Sequence, residues 1–465
     1  MPTSRKELRN KILLFCILDV AVLSVGHATK ISALVWSALA AFAIIVLFIP
    51  REKVFPVLLF FIPWATVMRL NTTSFSFYSI VIPVFFAAMV LFNAKGDEQV
   101  ILDCKTLLIT VSIVFLTLAA KLYWGYSFEM SYVMFILMLV FIPTYVKNFL
   151  SRLSFEECTI FYAFGIISAS IASRILMAYP HMNQFIKVYE WEAVSLTRLS
   201  GFYGDSNFYS AQISASIGCL LVIAANKRRG QAVFYGILTL ALIYFGLSSV
   251  SKSFIITLLI VLSIWLISFL SSTVTLSNKL AVLLCFAVLV TFVLTSSIFV
   301  DEIEMYLTRF GMADNAKNLT TGRTILWQEY FLFIRDNIAA LLFGQGLSSA
   351  LVYVGGVARS SHNVIIQAMY QLGFLGIISG IVWLNNLGKL IKSSGRRRVS
   401  ASTRLFIAVF VFAFFLQWMS LDMLFFNDFY YLIVLFFLGK EYFVSQADRK
   451  NAVEPNDLNR RGTFA

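Results

Sequence analysis

The sequence predicts an all-α fold, a polytopic bundle of about 12–14 transmembrane helices, from three observations. The composition is too poor in charge for a water-facing surface, apolar stretches of bilayer length recur along the chain, and Lys and Arg gather on one side of them. Of 465 residues, 59% are hydrophobic and 13% charged, with a mean hydropathy of +0.83. Soluble domains carry roughly 25% charged residues, so lipid must be the solvent for most of this surface. The five cysteines (Cys16, Cys104, Cys158, Cys219, Cys285) are scattered, with no CxxC and no Cys/His cluster. Neither a disulfide framework nor a zinc site is expected.

Fourteen apolar segments are candidate spans: 11–26, 31–49, 54–70, 75–93, 105–122, 128–146, 158–178, 208–225, 231–247, 254–271, 279–299, 363–388, 404–421 and 424–441. A helix needs about 20 residues to cross the hydrocarbon. The first segment is short and holds Asp19, and the last two are parted only by Asp422, Asn427 and Asp428, so twelve or thirteen spans remain an alternative. The basic stretch Arg5, Lys6, Arg9, Lys11 leads straight into apolar sequence without a clear cleavage site, which predicts a retained first helix.

Placing the N-terminus inside puts Arg51 and Lys53, Lys147 and Arg152, Lys227 to Arg229, and Arg396 to Arg398 on the cytoplasmic side. That bias accounts for the formal net charge of +13 and removes the case for nucleic acid. The chain reads as one integral domain, 1–465, with both termini cytoplasmic and a polar, disordered tail at 448–465. Two connections, 179–207 and 301–361, are long and fall outside. Long connections are more often functional than filler.

The first outward loop ends in Arg198-Leu199-Ser200-Gly201-Phe202-Tyr203-Gly204-Asp205-Ser206-Asn207. Its glycines and Asx residues predict a turn, with Asp205, Ser206 or Asn207 as helix cap. Arg198 precedes that turn at the membrane surface, where it can meet either headgroups or a substrate. In the second loop, Arg309 lies near the membrane exit. Leu326, Trp327, Tyr330, Phe331 and Ile334 then recur at helical spacing, which predicts an amphipathic helix on the bilayer surface. Arg323 stands at the start of that helix, the end where the dipole disfavours a cation, and this suggests an anionic partner. Further on, Ser360 or Ser361 is a candidate cap for the next span, with His362 in its first turn, where the dipole favours the neutral imidazole that a general base requires. Lys252, in a short outward turn, is an ionisable residue at membrane depth. It is either functional or snorkelling, as Arg69, Lys121 and Arg174 can also do.

The predicted picture is a set of cations (Arg198, Lys252, Arg309, Arg323, Arg359) converging beside one histidine on the outer face. Guanidinium forks match phosphate geometry. With such cations neutralising a departing diphosphate, no metal and no other cofactor is called for.

Together, Thr321-Gly322-Arg323-Thr324-Ile325-Leu326-Trp327, Phe343-Gly344-Gln345-Gly346, Ser361-His362-Asn363 and Leu372-Gly373-Phe374-Leu375-Gly376 resemble the central region of the O-antigen polymerase and ligase family. The segment from Arg198 to Asn207 is similar to that family's other outward motif. The resemblance covers about 198–210 and 309–376; at 338–342 the chain has Ile-Ala-Ala-Leu-Leu, where many members carry Asn-Pro. It implies metal-independent, inverting glycosyl transfer outside a bacterial inner membrane, with an undecaprenyl-pyrophosphate-linked glycan as donor. Arg198 and Arg323 would bind the pyrophosphate and His362 would activate the acceptor hydroxyl. Tyr203, Asp205, Asn207, Lys252, Arg309, Arg359 and Asn363 are the expected substrate-binding residues. Partners implied are the lipid-linked glycan, membrane lipid and a chain-length regulator. A repeat-unit polymerase is the leading expectation. A ligase acting on lipid A-core shares its donor chemistry, and a lipid-linked oligosaccharide flippase is the rival of a different class. A metal-dependent polyprenyl-phosphate glycosyltransferase would need acids in the first outward loop, which is tiny and has none.

Overall fold

The computed structural model describes residues 5–91, 100–125, 131–186, 198–271, 275–296, 299–311, 322–347, 352–354, 357–392 and 400–460. The protein is an all-α, multi-pass membrane bundle. Among the described residues, nine helices are long and apolar enough to cross a bilayer. They include α1 (Arg5–Thr29), α5 (Cys104–Trp124), α6 (Ser131–Phe149), α7 (Phe155–Leu176), α8 (Ser206–Ala225), α9 (Arg229–Leu247) and α10 (Lys252–Leu270). Two shorter apolar helices, α2 (Ser32–Phe48) and α4 (Phe77–Leu91), flank α3 (Val54–Phe61). Segment 54–70 is not the continuous span predicted. α3 tightens into a 3₁₀ turn at Ile62–Trp64, around Pro63, and every residue of α3 is buried. Proline removes a ladder donor, and burial inside protein lets the broken helix persist at membrane depth.

The second half continues with α11 (Leu276–Thr295), α12 (Val300–Gly311), α13 (Arg323–Asp336), α14 (Ile338–Phe343) and a hairpin of β1 (Val352–Val354) and β2 (Val357–Arg359). It closes with α15 (Val364–Ile391), α16 (Ala401–Phe414) and α17 (Asn427–Arg460). The helical backbone of α17 runs on into 448–460, where the sequence predicts a disordered tail. Once a long helix is nucleated, each added residue gains one hydrogen bond.

Helix α8 is the most enclosed span. Its small residues, among them Ser210, Ala211, Ser214 and Gly218, let neighbours approach closely; a Cβ at Gly218 would stand 3.1 Å from that of Ala413 in α16. Lipid gives helices no hydrophobic reason to associate, so such close packing carries the association.

Helix α13 lies against the protein, not only on the bilayer surface. Leu326, Tyr330 and Ile334 pack on Ile366 and Tyr370 of α15, while Phe331 faces outward at 49% exposure. A kink in α15 fixes the level of that contact. Gly373 adopts φ 63° and ψ −175° inside the helix. Two carbonyls beside the kink, those of Tyr370 and Gln371, accept from the amides of Gln345 (2.8 Å) and Gly346 (3.0 Å). Freed backbone groups in a membrane must be re-satisfied in this way. The Gly344 and Gly373 segments of the sequence are thus two halves of one joint: a Cβ on Gly373 would lie 2.5 Å from the Gly344 nitrogen.

The close backbone approach of α3 to α7 is testable. A Cβ at Gly165 would stand 2.2 Å from the Phe60 carbonyl oxygen, whereas one at Gly236 meets nothing within 4 Å. Gly165→Ala is expected to lower stability by about 1–3 kcal/mol, the usual cost of overpacking, and Gly236→Ala to leave it unchanged or raise it. Thermal unfolding of the purified protein in one detergent measures both.

Candidate functional site

The site is built around an acid on the turn between α16 and α17. Helix α16 tightens into a 3₁₀ turn at Phe415–Met419, and the chain reverses through 420–426. Asp422 on that turn keeps only 13% of its side chain exposed. Its carboxylate accepts from Ser361 Oγ (2.5 Å), the His362 amide (2.8 Å) and the Asn363 amide (3.2 Å). Hydrogen bonds to a charged group contribute about 1.5–3 kcal/mol each. That is ample to offset the roughly 1–2 kcal/mol cost of a left-handed non-glycine residue, and His362 is one, with φ 49°.

Neither Ser360 nor Ser361 caps α15. Asn363 does, its Oδ1 accepting from the amides of Ile365 (2.9 Å) and Ile366 (3.2 Å). His362 therefore stands before the cap, outside the first helical turn. Its pKa lies below the usual 6.5. Desolvation by burial is the chief cause, Asp422 and Asp205 oppose it, and Arg323 and Arg359 reinforce it. Asp422 Oδ2 lies 3.8 Å from Nδ1, close enough to favour an imidazolium once one forms. The other histidines are committed elsewhere: Nε2 of His27 meets the Val67 carbonyl and Nε2 of His181 that of His27.

Helix α13 is tied to the same strand of chain. Trp327 Nε1 donates to the Ser361 carbonyl (2.9 Å) and the Tyr330 hydroxyl to that of Arg359 (2.7 Å). These bonds carry Arg323, the first residue of α13, to the histidine. Among the described residues Arg323 makes no hydrogen bond and no ion pair within 4 Å. Burial lowers its pKa, while the charges of Asp205 and Asp422 pull the other way. Arg323 is half-buried, and among the described residues no acid neutralises its charge at close range, so the guanidinium is chemically able to take an anionic ligand.

A second group of cations surrounds the α9–α10 turn. Three successive carbonyls there act as acceptors: Ser248 from the Leu199 amide (2.9 Å), Ser249 from Arg198 Nε (3.2 Å) and Val250 from Arg309 Nη1. Lys252 Nζ lies 5.5 Å from the Phe310 ring centroid. Burial lowers the Arg309 pKa, and the nearby Arg323 charge lowers it further, so the two groups adjoin. Glu302 holds α12 in place. It accepts from Ser248 Oγ (3.1 Å) and stands 3.7 Å from Arg174.

The other predicted residues divide by role. Asp205 caps α8 through the Asn207 amide (2.6 Å) while its charge reaches Arg323 and His362. Asn207 accepts from Ser251 Oγ (2.8 Å), which joins α8 to the α9–α10 turn. Tyr203 points inward and donates to Asp428 Oδ1 (3.1 Å), so its hydroxyl supports the turn from beneath. Asn363 spends its Oδ1 on capping, and Arg359 projects an exposed side chain from β2. Thr320 and Thr321 lie outside the described residues. Asp422 enters the sequence analysis only as a break between spans. The signal available was an acid at the membrane boundary in a turn of few residues.

Chemically, the cluster can bind an anion through Arg323, accept a proton at His362 and stabilise the resulting imidazolium through Asp422. Among the described residues no three His, Cys, Asp or Glu side chains are grouped as a metal site requires. In comparisons with known proteins, no family model, no curated protein and no solved structure matches this chain.

Because Arg323 makes no hydrogen bond or ion pair among the described residues, substitution there tests its charge directly. Arg323→Gln is expected to raise the His362 pKa, since a cation that disfavours imidazolium is gone. Histidine ¹³Cε1 shifts followed against pH measure this, with His362→Gln identifying the signal. An unchanged or lowered midpoint would contradict the proximity described.

Proposed function

We propose that the protein polymerises undecaprenyl-pyrophosphate-linked oligosaccharide repeat units on the outer face of a bacterial inner membrane. The observation that carries this reading is the half-buried Arg323 guanidinium, without a hydrogen bond or ion pair among the described residues, beside a histidine whose pKa desolvation lowers and which Asp422 backs. On this reading His362 removes the proton from an acceptor sugar hydroxyl as its oxygen attacks the anomeric carbon of the growing chain. The bond from that carbon to the diphosphate breaks, the configuration inverts, and the lipid diphosphate leaves with the electron pair. Arg323, with Arg309 and Arg198 nearby, stabilises the charge that develops on it. Asp422 stabilises the imidazolium until the proton is lost to water.

The outward placement of this face follows from the bias of Lys and Arg towards the other one. Transfer to lipid A-core instead of to a second repeat unit would use the same donor chemistry. A flippase is the second reading, favoured by Asp19, a carboxyl buried at 7% exposure within α1.

The test is a purified reaction with lipid-linked repeat units in the presence of EDTA. The polymerase reading predicts a ladder of products, reduced by two or more orders of magnitude in Arg323→Ala and His362→Ala, as losses of charge stabilisation and acid–base groups usually are. Arg323→Lys is expected to recover only part, because a point charge cannot hold a diphosphate bidentately. Activity should fall as acid protonates His362, with a midpoint below 6.5, since the neutral form is the base. Transfer only to lipid A-core would replace polymerase with ligase. Loss of glycan translocation in Asp19→Asn, with Arg323→Ala and His362→Ala unaffected, would replace it with flippase.

A further inference from the structure

We propose that a groove along α13 holds the first sugars of the donor glycan, with a sugar ring stacked on Phe331 and its hydroxyls bonded by the Gln328 amide. The inference rests on the diphosphate reading of Arg323 and names what lies beyond that diphosphate. The groove measures about 560 Å³ and is lined by Thr324, Trp327, Gln328, Phe331, Leu332 and Arg335. Sites for small ligands span roughly 300–1,000 Å³.

The helix sets the place of the groove. Thr324 follows Arg323 directly, and from Thr324 to Arg335 the axis of α13 rises about 17 Å. Trp327 forms the inner wall. Its Nε1 donates to the Ser361 carbonyl (2.9 Å), which fixes the ring beside the segment that carries His362. The groove therefore begins where a sugar bonded to a diphosphate at Arg323 would face His362, and it leads away from that point.

The lining selects the class of ligand. Its single ionisable side chain, Arg335, is already paired with Asp336 at 2.7 Å, so the groove has no spare charge for another phosphate. Arg335 and Asp336 are also exposed, and charged side chains stay out of hydrocarbon. The groove thus opens towards water and not towards acyl chains. Phe331 nevertheless leaves its ring exposed there, and an exposed apolar surface in a concavity marks a ligand groove. The negative face of an aromatic ring attracts the polarised C–H bonds on one side of a pyranose. Beside it, Gln328 is exposed and makes no hydrogen bond within the protein, which leaves an acceptor and two donors for hydroxyls. A neutral glycan uses both features, whereas an acyl chain has no use for the amide.

Equilibrium binding to the full-length protein in nanodiscs tests this with two probes, farnesyl pyrophosphate and the same lipid carrying di-N-acetylchitobiose on its diphosphate. The glycosylated probe is expected to bind the wild type about tenfold more tightly, the scale of one stacked ring and one hydrogen bond. Phe331→Ala and Gln328→Ala should each shrink that preference and leave the affinity for bare farnesyl pyrophosphate unchanged. Phe115→Ala, which removes a 68% exposed ring on α5, should change neither. The melting temperature reports whether each variant remains folded. Equal affinity for the two probes in the wild type, or an undiminished preference in both groove variants, overturns the proposal. If Phe331→Ala weakens the bare probe as much as the glycosylated one, the proposal is also overturned and the groove is reassigned to the polyprenyl tail. Arg323→Gln separates these outcomes from failure of the underlying reading. Bare farnesyl pyrophosphate that binds equally well without the guanidinium would remove the diphosphate role, whatever the groove holds.

Discussion

The candidate site depends on one carboxylate. Asp422 gathers a hydroxyl and two backbone amides from Ser361, His362 and Asn363, and so holds a histidine in a backbone conformation it would not adopt alone. The same segment is gripped from the other side by Trp327 and Tyr330 of α13. Positions 323, 362 and 422 come from three separate parts of the chain, and these few bonds set their spacing.

The membrane scaffold serves that arrangement. Gly344 and Gly373 meet backbone to backbone, which fixes α14 and therefore the end of α13 against α15. Close packing of α8 against α16 fixes the turn that presents Asp422. A bilayer supplies no water to repair a loose joint, so each backbone group released by a kink is taken up by a neighbour. The outcome is a rigid base beneath a cluster whose own charges are only partly satisfied.

Much of this was legible in the sequence, because hydropathy and charge bias are local signals. The apolar helices could be argued from position alone, and so could the candidacy of Arg323 and His362, which the fold brings near one another. Asp422 could not: its partners lie about 60 positions away, and no periodicity records a pairing of that length. The cap of α15 was misplaced for the same reason. Ser361, a good capping residue by type, is drawn away by the distant acid. Segment 54–70 has the hydropathy of a span, but the helix tightens around Pro63, and burial of α3 lets the break persist. The inward turn of Tyr203 towards Asp428 is likewise a long-range contact.

Arg323 is half-buried and cationic, and it makes no ion pair within 4 Å with Asp205 or Asp422, whose charges act on it. The most direct measurement of its role is equilibrium binding of farnesyl pyrophosphate and farnesyl monophosphate to the protein in nanodiscs, for the wild type and Arg323→Gln. The account predicts preference for the diphosphate in the wild type and a loss of about tenfold or more in the variant, the scale of one charge-assisted pair. Equal affinity for the two ligands, or undiminished diphosphate binding without the guanidinium, would contradict it.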